Sequence, residues 1–183
     1  MKKLLATLLV LTACLHVSAQ ESKQIRISTE RTDLILEVAP NGRLYQAYLG
    51  DKLLNDRDLS HLSGRSRGWE VYPGSGGEDY FEPAVAITNN DGNPSTILRY
   101  VSSEQKTVEG GTETIIRMKD DQYPVDVTLH YVSYPKQNVI KTWSEITHQQ
   151  KKPVTLWRYA STMLYFANQK YYLTEFSSDW RSE

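Results

Sequence analysis

Along most of the chain, β-branched and aromatic residues recur in short runs that are broken by Gly, Pro, Asn and Asp. Residues 139–147 alternate cleanly, with Val139, Lys141, Trp143 and Glu145 on one side and Ile140, Thr142, Ser144 and Ile146 on the other. A period of two residues is the signature of a strand whose faces meet different surroundings. The same reading predicts strands over Gln24–Ser28, Leu34–Val38, Leu44–Leu49, Val85–Thr88, Thr96–Ser102, Thr112–Met118 and Val125–Val132. Another starts at Val154 and runs toward Phe166, and a last one covers Tyr171–Thr174. Pro40-Asn41-Gly42 supplies the turn that folds the second and third runs into a hairpin. No long window combines a 3.6-residue period with capping residues. About ten strands with regularly spaced turns predict an all-β, antiparallel β-sandwich.

The first residues do not fit this pattern. Lys2 and Lys3 precede an apolar stretch from Leu4 to Leu11, and Val17-Ser18-Ala19 offers a small-residue exit before Gln20. A bilayer core needs roughly 20 apolar residues, so the stretch reads as a signal peptide over residues 1–19, followed by one domain over 20–183. The expected location is periplasmic or extracellular. Leu11-Thr12-Ala13-Cys14 also resembles a bacterial lipobox, which would make Cys14 a lipidated anchor; the alternative is that Cys14 is discarded with the leader. No later stretch is apolar enough for a transmembrane segment. Cys14 is the only cysteine, so the processed domain has no disulfide and no thiolate metal site.

Charge adds an exclusion. The formal net charge is −1, and removing Lys2 and Lys3 makes it slightly more acidic. That balance lacks the basic stripe of a nucleic-acid-binding surface. Twelve Tyr and four Trp stand against three Phe. Such rings with a polar tip suit both sheet surfaces and ligand platforms.

The one long irregular stretch, Leu53–Glu82, concentrates the candidate chemistry. Gly74-Ser75-Gly76-Gly77 lacks the Lys-Ser/Thr of a phosphate-binding loop, and no helix follows to supply a dipole, so it reads as a flexible turn. His61, His130 and His148 have no ligand spacing, so no metal site or cofactor is expected. Glu70, Glu78, Asp79 and Glu82 lie among Trp69, Tyr72, Tyr80 and Phe81. Paired carboxylates are what glycoside hydrolysis requires, and rings beside acids suit sugars. The competing account is a solvated acidic loop whose rings pack on the sandwich. Catalysis within this chain is the weaker reading of the two. Trp69, Tyr72, Asp79, Tyr80 and Phe81 are the candidates for sugar contact, and no catalytic residue is assigned. There is no Gly-x-Ser-x-Gly nucleophile elbow.

The ordered series of segments resembles the N-terminal domain of family 36 glycoside hydrolases, the bacterial α-galactosidases. The pieces are Tyr72-Pro73-Gly74-Ser75-Gly76-Gly77-Glu78-Asp79-Tyr80-Phe81-Glu82-Pro83-Ala84, Asn90-Asp91-Gly92 leading to Ser95-Thr96-Ile97-Leu98-Arg99-Tyr100, and Val127-Thr128-Leu129-His130-Tyr131. Asn138-Val139-Ile140, Pro153-Val154-Thr155-Leu156 and Trp180-Arg181-Ser182-Glu183 complete it. Two departures matter. The family's longer segment between Asp58 and Trp69, part of which reaches sugar in a neighbouring subunit, is abbreviated. The family's catalytic aspartates belong to a (β/α)8 barrel that this sequence does not contain. The resemblance therefore implies a supersandwich-like domain, incomplete at its C-terminus. It would support the barrel, a homo-oligomer and the rim of an α-galactoside site without being catalytic itself. A free-standing carbohydrate-binding module and a non-functional truncated fragment are the alternatives.

Overall fold

The computed structural model describes residues 23–55, 57–58, 69–76 and 82–166. The expected signal peptide with Cys14, the strand at Tyr171–Thr174 and the terminal Trp180-Arg181 lie outside the described residues. Those described form nine strands in three antiparallel sheets. The first is a meander of β1 (Lys23–Ser28), β2 (Thr32–Val38) and β3 (Leu44–Asp51). The largest is a second meander of β5 (Leu98–Val108), β6 (Gly111–Asp120), β7 (Val125–Tyr134) and β8 (Val139–His148). β4 (Val85–Thr88), which lies between the two meanders in sequence, pairs with β9 (Thr155–Tyr159), which follows them. This is the all-β antiparallel sandwich that the alternating pattern predicts.

Alternation explains the core. β7 turns Val125, Val127, Leu129 and Tyr131 to one side, where they meet Ile116 and Met118 of β6 and Leu98 of β5. Ile25, Ile27, Leu34, Leu36 and Leu44 come from the first sheet, and Val85 and Ile87 close one end. Each fully buried Leu or Ile contributes about 1.5–3 kcal/mol relative to exposure, so these layers hold the sheets face to face. Gly42 at φ 77° gives the β2–β3 turn its left-handed residue, as Pro40-Asn41-Gly42 leads one to expect.

Two strand boundaries differ from the sequence reading by more than a few residues. β5 runs on to Val108 through Ser103-Glu104-Gln105-Lys106-Thr107, six residues past Ser102. Most of this extension is exposed, so it lacks the apolar alternation that marks a strand; it forms because β6 is there to pair with it. At the other end, β9 stops at Tyr159, well short of Phe166. Ala160 donates its N–H to the Ala84 carbonyl at 2.8 Å, but its own carbonyl is taken by the hydroxyls of Tyr72 and Ser144 rather than by a strand. The ladder ends there.

Of the run 74–77, residues 74–76 form a turn that is tightly bonded to the sandwich, and Gly77 lies outside the described residues. Ser75 donates its N–H to the Val85 carbonyl (3.0 Å) and accepts from the N–H of Thr96 (2.8 Å). Gly74 is required by close approach: a Cβ there would sit 2.1 Å from the Thr96 carbonyl oxygen.

Candidate functional site

From Trp69 the described part of the irregular stretch forms a short extension of the first sheet. Gln46 donates its N–H to the Trp69 carbonyl at 2.8 Å, and Val71 donates its own to the Leu44 carbonyl at 2.9 Å. Trp69-Glu70-Val71 thus lines the edge of β3. Val71 and Tyr72 then enter the core, which leaves Trp69 half-buried at its margin.

The five candidate contact residues separate accordingly. Trp69 stacks on Tyr165, with centroids 5.9 Å apart and planes inclined by 6°. This is an offset parallel pair of the kind aromatic quadrupoles favour. Tyr72 is fully buried, and its hydroxyl lies 2.7 Å from the Ala160 carbonyl and 3.0 Å from Ser144 Oγ. Burial raises its phenol pKa, while the bonds to Ser144 and Ala160 partly offset the rise. The structure therefore places Tyr72 as a core residue with no face for a ligand. Asp79, Tyr80 and Phe81 lie outside the described residues.

The acids separate as well. Glu70 is buried and gripped by Arg43, whose Nε reaches Oε1 at 3.0 Å while Nη2 binds Oε2. A forked guanidinium holds a carboxylate in place, which suits scaffolding rather than proton transfer. Glu82 is exposed and pairs with Arg158 of β9. Glu78 and Asp79 lie outside the described residues.

Tyr165, the second ring of the stack, is held from two sides. Its hydroxyl donates to the Glu70 carbonyl at 2.9 Å. Its backbone is clasped by the Gln46 side chain: Nε2 donates to the Tyr165 carbonyl at 2.6 Å, and Oε1 accepts the Tyr165 N–H at 3.1 Å. Neither Gln46 nor Tyr165 is identifiable from sequence. They are 119 positions apart, and nothing local to either marks the contact.

The histidines take up structural positions. His130 lies on the opposite face of β7 from the core, with Nδ1 2.8 Å from Glu113 Oε1 and its ring stacked on Trp143 at 4.5 Å. The His130 hydrogen bond first, then Lys106, hold the Glu113 carboxyl below its usual value. His148 ends β8, and His61 lies outside the described residues. Among the described residues, no cluster of three or more His, Cys, Asp or Glu could hold a metal ion.

Residues 42–183 match the glycosyl hydrolase family 36 N-terminal domain. The chain belongs to that family. Solved structures share the fold of this family 36 N-terminal domain. The α-galactosidase of Lactobacillus brevis superposes with a TM-score of 0.67 at 18% identity, over 81% of this chain and 24% of that one. The α-galactosidase AgaA of Geobacillus stearothermophilus gives 0.67 at 20% identity, over 76% and 24%. AgaB of the same organism gives 0.65 at 21%, over 79% and 24%. The domain thus spans about a quarter of the length of these relatives. None of the curated proteins matches it.

Proposed function

We propose that this chain is the non-catalytic N-terminal β-sandwich of an exported α-galactosidase-type glycoside hydrolase. The observation that carries the reading is the family match over residues 42–183, joined to a fold shared with α-galactosidases. In this account the whole enzyme hydrolyses terminal α-galactosides with two carboxylates contributed by a separate barrel. Export rests on the leader at residues 1–19, or on lipidation at Cys14, with the domain proper over 20–183. Among the described residues, no helix is long and apolar enough to cross a membrane.

The sandwich has three roles in this reading: it packs on the barrel, it supports a homo-oligomer, and it lends Trp69 to the sugar-binding rim. Support for packing comes from the β4–β9 ribbon. Val85 pairs with Tyr159 and Ile87 with Leu156, so each pair shares a face. Val85 and Ile87 are buried at 0% and 2% exposure, whereas Tyr159 and Leu156 are 67% and 44% exposed. The inward face of the ribbon outruns its cover, and an apolar surface of this kind suits a neighbouring layer. Asp79, Tyr80 and Phe81 remain candidate rim residues on sequence grounds alone.

The test is an assay of the purified 20–183 chain on an aryl α-galactoside. No turnover is expected, and turnover would overturn the reading. The half-buried Trp69, fixed against Tyr165, favours a second reading as a free-standing carbohydrate-binding module. Calorimetry with raffinose separates the two: the module requires the chain alone to bind, with binding lost in Trp69→Ala.

A further inference from the structure

The geometry points to Gln46 as a positioning residue that sets the Trp69–Tyr165 pair as one rigid aromatic platform for the apolar C–H face of a hexopyranoside. The ligand assignment rests on the reading that Trp69 meets sugar; the positioning rests on geometry alone. Gln46 holds the backbones of both residues of the pair by different atoms. Its backbone N–H fixes the Trp69 carbonyl, and both polar atoms of its side chain fix the Tyr165 backbone. It is 1% exposed, so these bonds form away from competing water.

A side-chain amide presents a donor and an acceptor in the same plane as a peptide group. Gln46 therefore docks Tyr165 much as a neighbouring strand would, although residues 160–166 are in no strand. A β-bulge helps to aim it. Ile35 faces Tyr48 and Leu36 faces Gln46, which leaves Ala47 as the extra residue and locally re-aims the chain. The Tyr165 hydroxyl closes the loop by bonding the Glu70 carbonyl, and Arg43 locks the Glu70 side chain. The Tyr165 ring is thus tied by its hydroxyl to the segment that carries Trp69, one residue further on. A platform fixed before binding spares the ligand the cost of ordering it.

The experiment follows indole N–H resonances of the full chain by NMR, with the Trp69 signal assigned through Trp69→Phe. Gln46→Met keeps the backbone N–H and most of the volume but removes both side-chain bonds. The Trp69 indole signal is expected to move, with the Trp143 and Trp157 signals in place. Tyr165→Leu, a change outside the core, should move the same signal by removing the stacked ring, and Gln46→Glu, which removes only the Nε2 donor, serves if Gln46→Met fails to fold. Where the chain alone binds raffinose, its affinity should fall about three- to tenfold in Gln46→Met and Tyr165→Leu, the range for losing a stacked aromatic partner. An unmoved Trp69 signal in folded Gln46→Met overturns the positioning role. If the signal moves but Trp69→Ala leaves raffinose affinity unchanged, the sugar reading of the platform is overturned and the positioning role stands. If Trp69→Ala abolishes binding while Gln46→Met and Tyr165→Leu bind normally, the platform is not preorganised by Gln46.

Discussion

Tyr72 offers a direct test of the division between core and rim. Its ring is fully buried, and its hydroxyl forms a triangle with Ser144 Oγ and the Ala160 carbonyl, at 3.0 and 2.7 Å. Ser144 itself donates to the same carbonyl at 2.9 Å. Tyr72→Phe removes one buried hydroxyl but leaves Ala160 satisfied by Ser144, so the net loss is that of one hydrogen bond, about 1 kcal/mol. Tyr72→Phe combined with Ser144→Ala strips the carbonyl of both donors. The double variant should therefore lose more than the two singles together, by about 0.5–1 kcal/mol of coupling. Tyr72→Ala empties the site of a whole ring and should cost about 3–5 kcal/mol, a large share of the stability of a single domain. Urea unfolding of the parent, both singles, the double variant and Tyr72→Ala measures these terms, with m unchanged if the unfolded state is unaffected. Where the chain binds raffinose, the affinity of Tyr72→Phe should match the parent. Unaltered stability in Tyr72→Phe, or a selective loss of sugar affinity, would refute the core assignment.

The Arg43–Glu70 pair should show the asymmetry of buried charges. Arg43→Met, which removes the forked partner of the Glu70 carboxylate, should cost about 3 kcal/mol, and adding Glu70→Met should restore much of that loss in thermal unfolding. Acid titration should expose Asp33. Burial pushes its carboxyl up, but bonds from Arg26 (2.5 Å), Ser28 (2.6 Å) and the Leu53 N–H (2.8 Å) outweigh that and hold it below its ordinary 3.8. A depressed carboxylate contributes stability that is fully present above the unfolded value and is lost as pH falls through the folded one. Stability measured from pH 5 down to pH 2 should therefore drop below about pH 4, and the drop should flatten in Asp33→Asn. An unchanged slope would remove Asp33 from the account of acid unfolding.

Local chemistry made much of the sandwich legible. The alternation over Val139–Thr147 and the turn at Pro40-Asn41-Gly42 both reappear, in β8 and in the β2–β3 hairpin, because each depends on residues adjacent in sequence. The outer half of β5 was hidden, since a strand exposed on both sides carries no apolar period and needs β6 to define it. The ribbon partner of β4 was hidden too, because Val85–Thr88 pairs with a strand some seventy residues away.

By itself the sequence determined an all-β sandwich, the absence of a nucleophile elbow and the likeness to family 36. These follow from side-chain period, from residue types and from the order of segments, none of which needs a third dimension. Tertiary structure alone decided what the aromatic stretch does with its side chains. Trp69 and Tyr72 are three residues apart and equally aromatic, yet Trp69 stays at the margin while Tyr72 fills the core. The physical reason is the edge of β3, which captures residues 69–71 by backbone hydrogen bonds and so fixes which side chain turns inward. Gln46 belongs to the same class of fact. Its amide has meaning only because Tyr165 is brought to it from 119 residues away.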